Sequence, residues 1–224
     1  PHHQNEIAQT ECVNEATFAR YWMHNGFLNI DDRKMSKSLG NFFTVRQVAD
    51  EIGYEPIRFF MLSAQYRTQL NFTMEIMEQC KLSLDRLYTC RDNLDFAIEK
   101  AQLTGDNTLA KQAKIAEAAF RERMDDDLNT ADALAVLFEL VREINVNAAE
   151  TCKGALEDTA EVFDRPREVL GLLYNRKASR IPKEIREMAA QREAARATKD
   201  WELADLIRKQ VEGKGCVIKG HTAG

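Results

Sequence analysis

A long helical repeat of apolar residues, beginning at Thr73, constrains the fold of this chain more than any other feature of its sequence. Apolar residues recur there at steps of three, four or seven over about seven turns of helix. They are Ile76, Cys80, Leu84, Leu87, Leu94 and Ile98. Because so long an apolar stripe must be covered by other helices, the repeat predicts a helical bundle.

More helices are predicted after a polar break at 105–107. One covers Leu109–Met124, the next runs from Ala131 to about Ala148, and another follows with an interruption at Pro166. The inward-facing residues are expected to be Ala113, Ala116 and Phe120 in the first, and Leu134, Leu137, Phe138, Val141 and Ile144 in the second. These stripes indicate helices that belong to the same bundle.

Three adjacent carboxylates, Asp125–Asp127, lie between these predicted helices. They cannot all face one ion from a regular helix, whereas negative charge just before a helix suits the helix dipole. The residue that follows, Asn129 or Thr130, is a favourable N-cap. We interpret the acidic run as part of a helix start and not as a metal site.

Short elements are predicted before the bundle. A helix is expected over Asn5–Tyr21 and a strand over Tyr21–Ile30. For His24 in this strand, a buried and hydrogen-bonded position is favoured over a catalytic role. Thr44–Gln47 has the form of a capping box and opens a short helix. Another short helix begins at Pro56.

Two lysines three residues apart, Lys34 and Lys37, lie in a polar loop after the predicted strand. Ser36, Ser38 and Gly40 keep the loop backbone bendable and supply further donors. Compact ammonium groups on mobile stems suit the changing charge of a polyphosphate. From spacing alone, the loop is either a solvated surface segment or an anion-binding lid.

The charge of the chain is divided unevenly along its length. From Arg176 onward there are 12 Lys and Arg against 7 Asp and Glu, so this segment carries +5 and the preceding residues −10. Two helices are predicted in it, Pro182–Thr198 and Trp201–Glu212, followed by a strand-like Cys216–Ile218. The asymmetry predicts a polyanion-binding surface, although a basic helix can also be merely solvated.

Four arginines of this basic segment are candidate phosphate contacts: Arg186, Arg192, Arg196 and Arg208. Trp201 is able to stack on a base or to fill a small core, and the core position is favoured here.

Bulk features predict a globular cytoplasmic protein. Five widely spaced cysteines do not form a disulfide framework, and Cys80 and Cys90 fall within the helical repeat as reduced core residues. The sequence has neither the ~20-residue apolar run of a membrane span nor the pattern of a secretion signal.

His2 and Glu6 are four residues apart, so on a helix they project from one face. An imidazole nitrogen and a carboxylate oxygen make up half of a tetrahedral zinc site. Such a pair is more often an ordinary surface feature, and the spacing alone leaves both interpretations open.

Residues Lys34–Ser38 resemble the complete KMSKS signature of the class I aminoacyl-tRNA synthetases. Further segments resemble the cysteinyl-tRNA synthetases in particular, in the same order along the chain. These segments are Pro1–Gln9, Tyr21–Phe27, Gly40–Phe42 and Met124–Thr130. The resemblance covers nearly the whole chain.

The resemblance implies a mainly α-helical chain with four parts. Residues 1–43 would be the end of a class I Rossmann catalytic domain, and 44–72 a linker that contacts the tRNA stem. Residues 73–175 would be a DALR-type helical bundle that binds tRNA. Residues 176–224 would be a small, incomplete α/β unit for anticodon recognition.

The activity implied for the family is the ATP-dependent activation of cysteine and its transfer to tRNA-Cys. Lys37 would bind the ATP phosphates with assistance from Lys34, while Met35, Ser36 and Ser38 complete the loop. ATP with Mg²⁺, L-cysteine and tRNA-Cys are the implied partners, no membrane is involved, and such enzymes are often monomers.

The family also implies one zinc ion, with His2 and Glu6 as ligands beside two cysteines from earlier in the chain. A thiolate is a much better zinc ligand than a hydroxyl, so the ion would select cysteine over serine. Neither those cysteines nor a His-Ile-Gly-His signature occurs in these 224 residues. The chain is therefore expected to be a C-terminal portion that starts inside the zinc motif and is inactive alone.

Two alternatives remain. A cysteine ligase of low-molecular-weight thiol biosynthesis has a similar zinc site and loop but transfers cysteine to an amino sugar. It would not need the basic segment after Arg176. A noncatalytic tRNA-binding helical module would leave the lysine loop as plain surface, which accounts poorly for an intact KMSKS sequence beside half of a zinc motif.

Overall fold

A computed structural model of the chain describes residues 2–34, 43–175, 183–198 and 200–213. The chain divides into two compact units, residues 1–175 and 176–224. The elements of the first unit are α1 (His2–Asn14), β1 (Leu28–Ile30), β2 (Arg33–Lys34), α2 (Val45–Ile52), α3 (Tyr54–Leu62), β3 (Leu70–Phe72), α4 (Met74–Lys100), α5 (Thr108–Asp125), α6 (Thr130–Asn147) and α7 (Lys153–Leu170). Those of the second are α8 (Lys183–Ala197) and α9 (Trp201–Gly213). None of the helices described in these ranges has both the length and the apolar character that crossing a membrane requires.

The predicted helical bundle is confirmed in the first unit. Thr73 caps α4, since its hydroxyl accepts a hydrogen bond from the Ile76 backbone N–H at 3.1 Å. The stripes predicted for α4, α5 and α6 face the core, with Ile76, Ile98, Ala116 and Phe138 only partly buried. The most deeply buried side chains include Met77, Leu87, Leu94, Leu109, Leu137, Ile144, Leu156 and Phe163. Apolar burial along four helices therefore dominates the stability of this unit.

The predicted interruption at Pro166 is wrong, because α7 continues through this residue to Leu170. Proline removes one hydrogen bond of the helix, which costs stability. Buried side chains lie on both sides of Pro166, among them Phe163 and Leu170. Packing against the bundle offsets the missing hydrogen bond. The helix ends instead at Gly171, whose φ of 64° is the left-handed conformation typical of a glycine cap.

The cysteines of the bundle are core residues, as expected. Burial raises the pKa of the Cys80 thiol to about 11 and that of Cys90 to about 12. Both thiols are therefore protonated and unreactive near neutral pH. In the described part of the chain, Cys12 and Cys152 are also free thiols.

A small sheet precedes the bundle. Its central strand, β1, pairs antiparallel with β2 and parallel with β3. Helices α2 and α3 lie between β2 and β3 in the chain and form the crossover that a parallel pair requires. The capping box predicted for α2 is confirmed, with the Thr44 hydroxyl accepting from the Gln47 N–H at 3.2 Å.

The strand predicted from Tyr21 is shorter than expected, and only its last three residues form β1. The Gly26 N–H donates to the Tyr66 carbonyl at 2.7 Å, and the Leu70 N–H donates to the Phe27 carbonyl at 3.0 Å. Residues 26 and 27 are adjacent in the chain, whereas their partners, residues 66 and 70, are separated by three residues. This mismatch interrupts the ladder before β1, much as a bulge does.

Helix α1 also differs from its prediction, since it begins at His2 instead of Asn5 and ends at Asn14 instead of Tyr21. Glu15 follows with a φ of 49°, in the left-handed region that ends a helix. Glycine is the usual residue there, and a glutamate gives no such signal in the sequence.

A buried carboxylate ties α3 to the end of the bundle. Glu55, on α3, is 5% exposed. It accepts hydrogen bonds from the Tyr88 hydroxyl of α4 at 2.7 Å and from the backbone N–H of Leu173. The Tyr88 oxygen in turn accepts from the Asn175 N–H at 3.2 Å. The last residues of the first unit are thereby fixed to both α3 and α4.

A second polar network joins α4 to α7. The Arg91 side chain is 9% exposed, and its guanidinium donates to both oxygens of Asp164 at 3.0 and 3.2 Å. Arg91 also pairs with Asp95, and Arg167 donates to Asp164 at 2.7 Å. Burial raises the pKa of Asp164, but the two arginines outweigh it, so this pKa lies below its ordinary value of 3.8.

Acid is expected to weaken the bundle through this network. A lowered pKa in the folded state means that the contribution of Asp164 to stability is complete above its ordinary pKa of 3.8 and is lost as the pH falls through the lower, folded-state pKa. Asp164→Asn should reduce the free energy of unfolding by about 1–3 kcal/mol at pH 7 and remove part of the acid dependence. Urea titrations between pH 7 and pH 3 measure both effects. The exposed Asp158→Asn of the same helix is the control and should change neither.

The second unit is a pair of helices, as predicted. Helices α8 and α9 pack through Ile185, Met188, Ile207 and Val211. Asp200 caps α9, its carboxylate accepting from the Leu203 N–H at 3.1 Å. The predicted strand Cys216–Ile218 lies outside the described residues.

Candidate functional site

A tight hairpin turn leads into the lysine loop. β1 and β2 pair Ile30 with Arg33, and Asp31 and Asp32 between them have φ values of 47° and 59°. Two left-handed residues in a two-residue hairpin form the type I′ geometry, which aspartate tolerates better than most residues. The turn sets the direction in which the chain enters the loop.

Asn71 of β3 holds this turn in place. Its side-chain oxygen accepts from the Asp32 N–H at 2.9 Å, and its amide nitrogen donates to the Asp32 carboxylate at 2.8 Å. On the far side of the loop, the Phe43 ring packs on that of the next β3 residue, Phe72, with centroids 4.7 Å apart. Both ends of the lysine loop are therefore anchored to neighbouring residues of one strand.

The predicted loop residues themselves fall mainly outside this description. Lys34 is the last residue of β2, and only its backbone is described. Met35, Ser36, Lys37 and Ser38 lie outside the described residues.

His2 and Glu6 lie on one face of α1, as predicted. The His2 Nε2 atom is 3.3 Å from Glu6 Oε1, and the two side chains are 83% and 44% exposed. His3 is an unpredicted neighbour, with its Nδ1 atom 3.1 Å from the other carboxylate oxygen, Oε2. Both oxygens of Glu6 therefore have imidazole partners.

His24 joins this group, although it was expected to be buried in a strand. It is exposed, because the chain from Tyr21 to Phe27 runs over the surface instead of inside a sheet. Its ring lies 5.1 Å from that of His3, centroid to centroid. Across the described residues, no group of three or more His, Cys, Asp or Glu side chains is arranged to hold a metal ion. Helix α1 thus presents two possible metal donors, His2 and Glu6, on one face, and the imidazoles of His3 and His24 lie beside them.

The acidic run Asp125–Asp127 lies at the junction of two helices, with Asp125 as the last residue of α5. Of the two predicted caps, Asn129 and Thr130, Asn129 is the one that caps α6, and it accepts from the Asp132 N–H at 3.2 Å. Asp127 instead accepts from the Tyr66 hydroxyl at 2.9 Å and pairs with Arg67 at 3.1 Å. The run therefore also ties the α5–α6 turn to the segment between α3 and β3.

The four candidate arginines all lie on the helices of the second unit. Arg208 is exposed and pairs with Glu212 at 2.9 Å, while Arg192 and Arg196 are half-buried on α8. For Arg186, only the backbone of α8 is described. All four candidate arginines therefore occupy helical positions.

Trp201 does not fill the core, contrary to the prediction. Its side chain is 57% exposed at the first residue of α9. Trp201 is three residues before the buried Ala204, which is three before the buried Ile207, so the spacing alone suggested burial. Two packed helices, however, provide too little surface to cover an indole at the first residue of one of them.

Two domain families match the chain. The family described as "tRNA synthetases class I (C) catalytic domain" matches residues 1–82, and the "DALR domain" matches residues 119–174. The first match contains the His2–Glu6 pair and the lysine loop, and the second contains the Asp127 turn. Together they define the chain as part of a class I aminoacyl-tRNA synthetase.

Curated relatives identify the family within the class I synthetases. The chain is 44% identical over 222 residues to the cysteine–tRNA ligase of Caldicellulosiruptor saccharolyticus, covering 97% of the chain and 48% of the relative. It is 42% identical to that of Lachnospira eligens, covering 100% and 48%, and 41% identical to that of Lysinibacillus sphaericus, covering 100% and 49%. The chain belongs to the cysteine–tRNA ligase family and spans about half the length of the curated relatives it matches.

A solved structure shares the fold at lower identity. It is the ternary complex of Agrobacterium radiobacter K84 agnB2 LeuRS, tRNA and LeuAMS, with a TM-score of 0.55 and 19% identity. The similarity covers 64% of this chain and 20% of that one.

Proposed function

We propose that the protein containing this chain joins L-cysteine to tRNA-Cys with ATP and Mg²⁺, in the cytoplasm and as a monomer. The observation that carries the proposal is the 41–44% identity to cysteine–tRNA ligases over 97–100% of the chain. The reaction forms cysteinyl adenylate and pyrophosphate and then transfers the cysteinyl group to the terminal ribose of the tRNA. It asks the protein mainly for positioning and for stabilisation of charge.

The lysine loop is assigned to the ATP phosphates. Lys37 binds them and offsets the negative charge that builds up on the departing pyrophosphate, and Lys34 assists. Met35, Ser36 and Ser38 shape the loop. The contacts that Asn71 and Phe72 make at the two loop ends support this role, because they fix the points from which the loop would reach the phosphates.

His2 and Glu6 are assigned as two ligands of a zinc ion. Ligand bonds of about 2.0–2.1 Å at tetrahedral angles place two donors about 3.3–3.4 Å apart. The His2 Nε2 to Glu6 Oε1 distance of 3.3 Å matches this spacing, and the exposure of both side chains leaves room for further ligands. The ion would supply an open position for the substrate thiolate, which distinguishes cysteine from serine.

The second unit is assigned to the tRNA anticodon end. It carries the excess of basic residues, with Arg186, Arg192, Arg196 and Arg208 as phosphate contacts. The exposure of Trp201 supports a stacking contact with a base, since a buried indole would be unavailable. The bundle of the first unit would support the rest of the tRNA.

Replacing Arg196 by alanine should weaken tRNA binding about threefold to tenfold at low salt. Loss of one phosphate contact should also lower the slope of log K against log salt concentration by about 1. Filter binding of the 224-residue chain to tRNA-Cys, repeated at about 50 to 200 mM salt, gives the affinity and its salt dependence. The control is Arg165→Ala in α7. The Arg165 guanidinium already forms ion pairs with Glu117 and Glu161 at 2.6 Å each, so its removal should leave tRNA binding unchanged.

The decisive test is aminoacylation by the full-length protein, supplied with cysteine, ATP and either tRNA-Cys or an amino sugar. Cysteinyl-tRNA is the expected product. Transfer to the amino sugar alone would instead identify a ligase of thiol biosynthesis. Binding of tRNA without any pyrophosphate exchange would identify a noncatalytic tRNA-binding module. The 224-residue chain alone is expected to give no exchange.

A further inference from the structure

The two carboxylate oxygens of Glu6 have different partners. Oε1 is 3.3 Å from His2 Nε2, the proposed zinc-binding nitrogen. Oε2 is 3.1 Å from His3 Nδ1. A carboxylate that can rotate freely would present either oxygen to a metal. The contact from His3 instead assigns one oxygen to a hydrogen bond and leaves the other beside His2.

The ring of His3 is itself held by residues that come later in the chain. Its centroid lies 5.1 Å from that of His24 and 5.9 Å from that of Trp22, which meets it edge-on. The returning segment is attached to α1, because the Phe18 N–H donates to a carboxylate oxygen of Glu11 at 3.1 Å. Phe18 also packs edge-on against Trp22, at 5.6 Å. Two aromatic rings from that segment therefore restrict the orientation of the His3 imidazole.

We propose that His3 is the positioning residue of the zinc site: its Nδ1–H donates to Glu6 Oε2, which turns Oε1 toward the metal beside His2 Nε2, and His24 and Trp22 hold its ring. The proposal rests on the assignment of His2 and Glu6 as zinc ligands. It adds a residue that does not touch the metal and acts through Glu6.

The chemistry follows from the donor and acceptor inventory of the group. An ionised carboxylate only accepts hydrogen bonds, so the His3 nitrogen that faces it must carry a proton. In neutral imidazole the other nitrogen, Nε2, is then unprotonated. Hydrogen bonds to the outer oxygen of a ligating carboxylate fix its orientation, and their loss typically lowers metal affinity 10–100-fold.

Zinc affinity of the full-length protein, measured by competition with a chromogenic chelator, tests the proposal. His3→Ala should weaken zinc binding about 10–100-fold. His3→Asn should recover part of this loss, because its amide N–H occupies nearly the position of Nδ1–H. Gln4→Ala, at an exposed position of the same helix, is the control and should leave the affinity unchanged.

A second measurement reads the tautomer directly. In the 224-residue chain, the ¹⁵N shifts of the His3 ring should show the tautomer that carries its proton on Nδ1. A proton on Nε2, or an unchanged zinc affinity in His3→Ala while His2→Ala loses zinc, would overturn the role of His3 and leave the zinc site in place. If His2→Ala retains full zinc affinity, the zinc assignment itself is wrong, and the role of His3 fails with it.

Discussion

Replacing Lys37 by alanine is expected to slow the formation of cysteinyl adenylate by about 10²–10³-fold. The ammonium group is assigned to the charge that develops as pyrophosphate leaves, and removing one such donor typically costs this much in rate. Cysteine-dependent exchange of pyrophosphate into ATP by the full-length protein measures the step. Lys37→Arg should restore only part of the rate, because a planar guanidinium does not replace a compact ammonium.

The matched control for this substitution is Lys81→Ala, at an exposed position of α4. It removes the same charge away from the loop and should leave the exchange rate unchanged. Zinc content should also be the same in all variants, since none of them changes a proposed zinc ligand. An exchange rate for Lys37→Ala within about twofold of the unchanged protein would contradict the assigned role.

Gly26→Ala is expected to have the largest effect on the stability of the sheet. A Cβ atom at this position would lie 2.3 Å from the carbonyl oxygen of Thr68 and 2.5 Å from its carbonyl carbon. Backbone atoms cannot rotate aside, so the chain at Gly26 must move and the bond from the Gly26 N–H to the Tyr66 carbonyl is lost. We expect the free energy of unfolding to fall by about 2–3 kcal/mol.

Urea denaturation of the 224-residue chain measures this effect, and Gly154→Ala provides the control. Gly154 lies in the first turn of α7, and among the described residues outside its own helix a Cβ atom added there would meet no atom within 4 Å, so alanine fits without any shift. That variant should be as stable as the original chain or up to about 1 kcal/mol more stable, because alanine favours the helix. Equal stabilities for the two variants would show that the Gly26 contact carries no strain.

The bundle was predictable because its signal is local. The spacing of apolar residues in α4, α5 and α6 reports a helix and its buried face within the same short stretch of sequence. The caps at Thr44 and Asn129 were predictable for the same reason, since the side chain and the N–H that it accepts from are three residues apart.

The errors arose where contacts distant in sequence decide the structure. The chain from Tyr21 to Phe27 is rich in aromatic residues and resembles a strand, but the mismatch with residues 66–70 interrupts its pairing. Trp201 and His24 are exposed for a related reason. Their burial depends on how much surface neighbouring elements provide, and residue type does not report that.

The candidate site was predictable in part. The lysines and the His2–Glu6 pair were proposed from family resemblance, because their spacing alone is equally compatible with a plain surface. Asn71 was not, because its partner Asp32 lies 39 positions earlier in the chain. His3 was overlooked because a histidine next to a candidate ligand carries no sign of which oxygen it contacts.

The buried carboxylate of Glu55 has a consequence for the order of assembly during synthesis. Its partner N–H belongs to Leu173, 118 positions later in the chain. When α3 leaves the ribosome, Leu173 has not yet been made, and a carboxylate that lacks this donor resists burial. We therefore expect α3 to remain loosely held until α7 is complete. The part of the protein next to the lysine loop is made early, but it becomes fixed late.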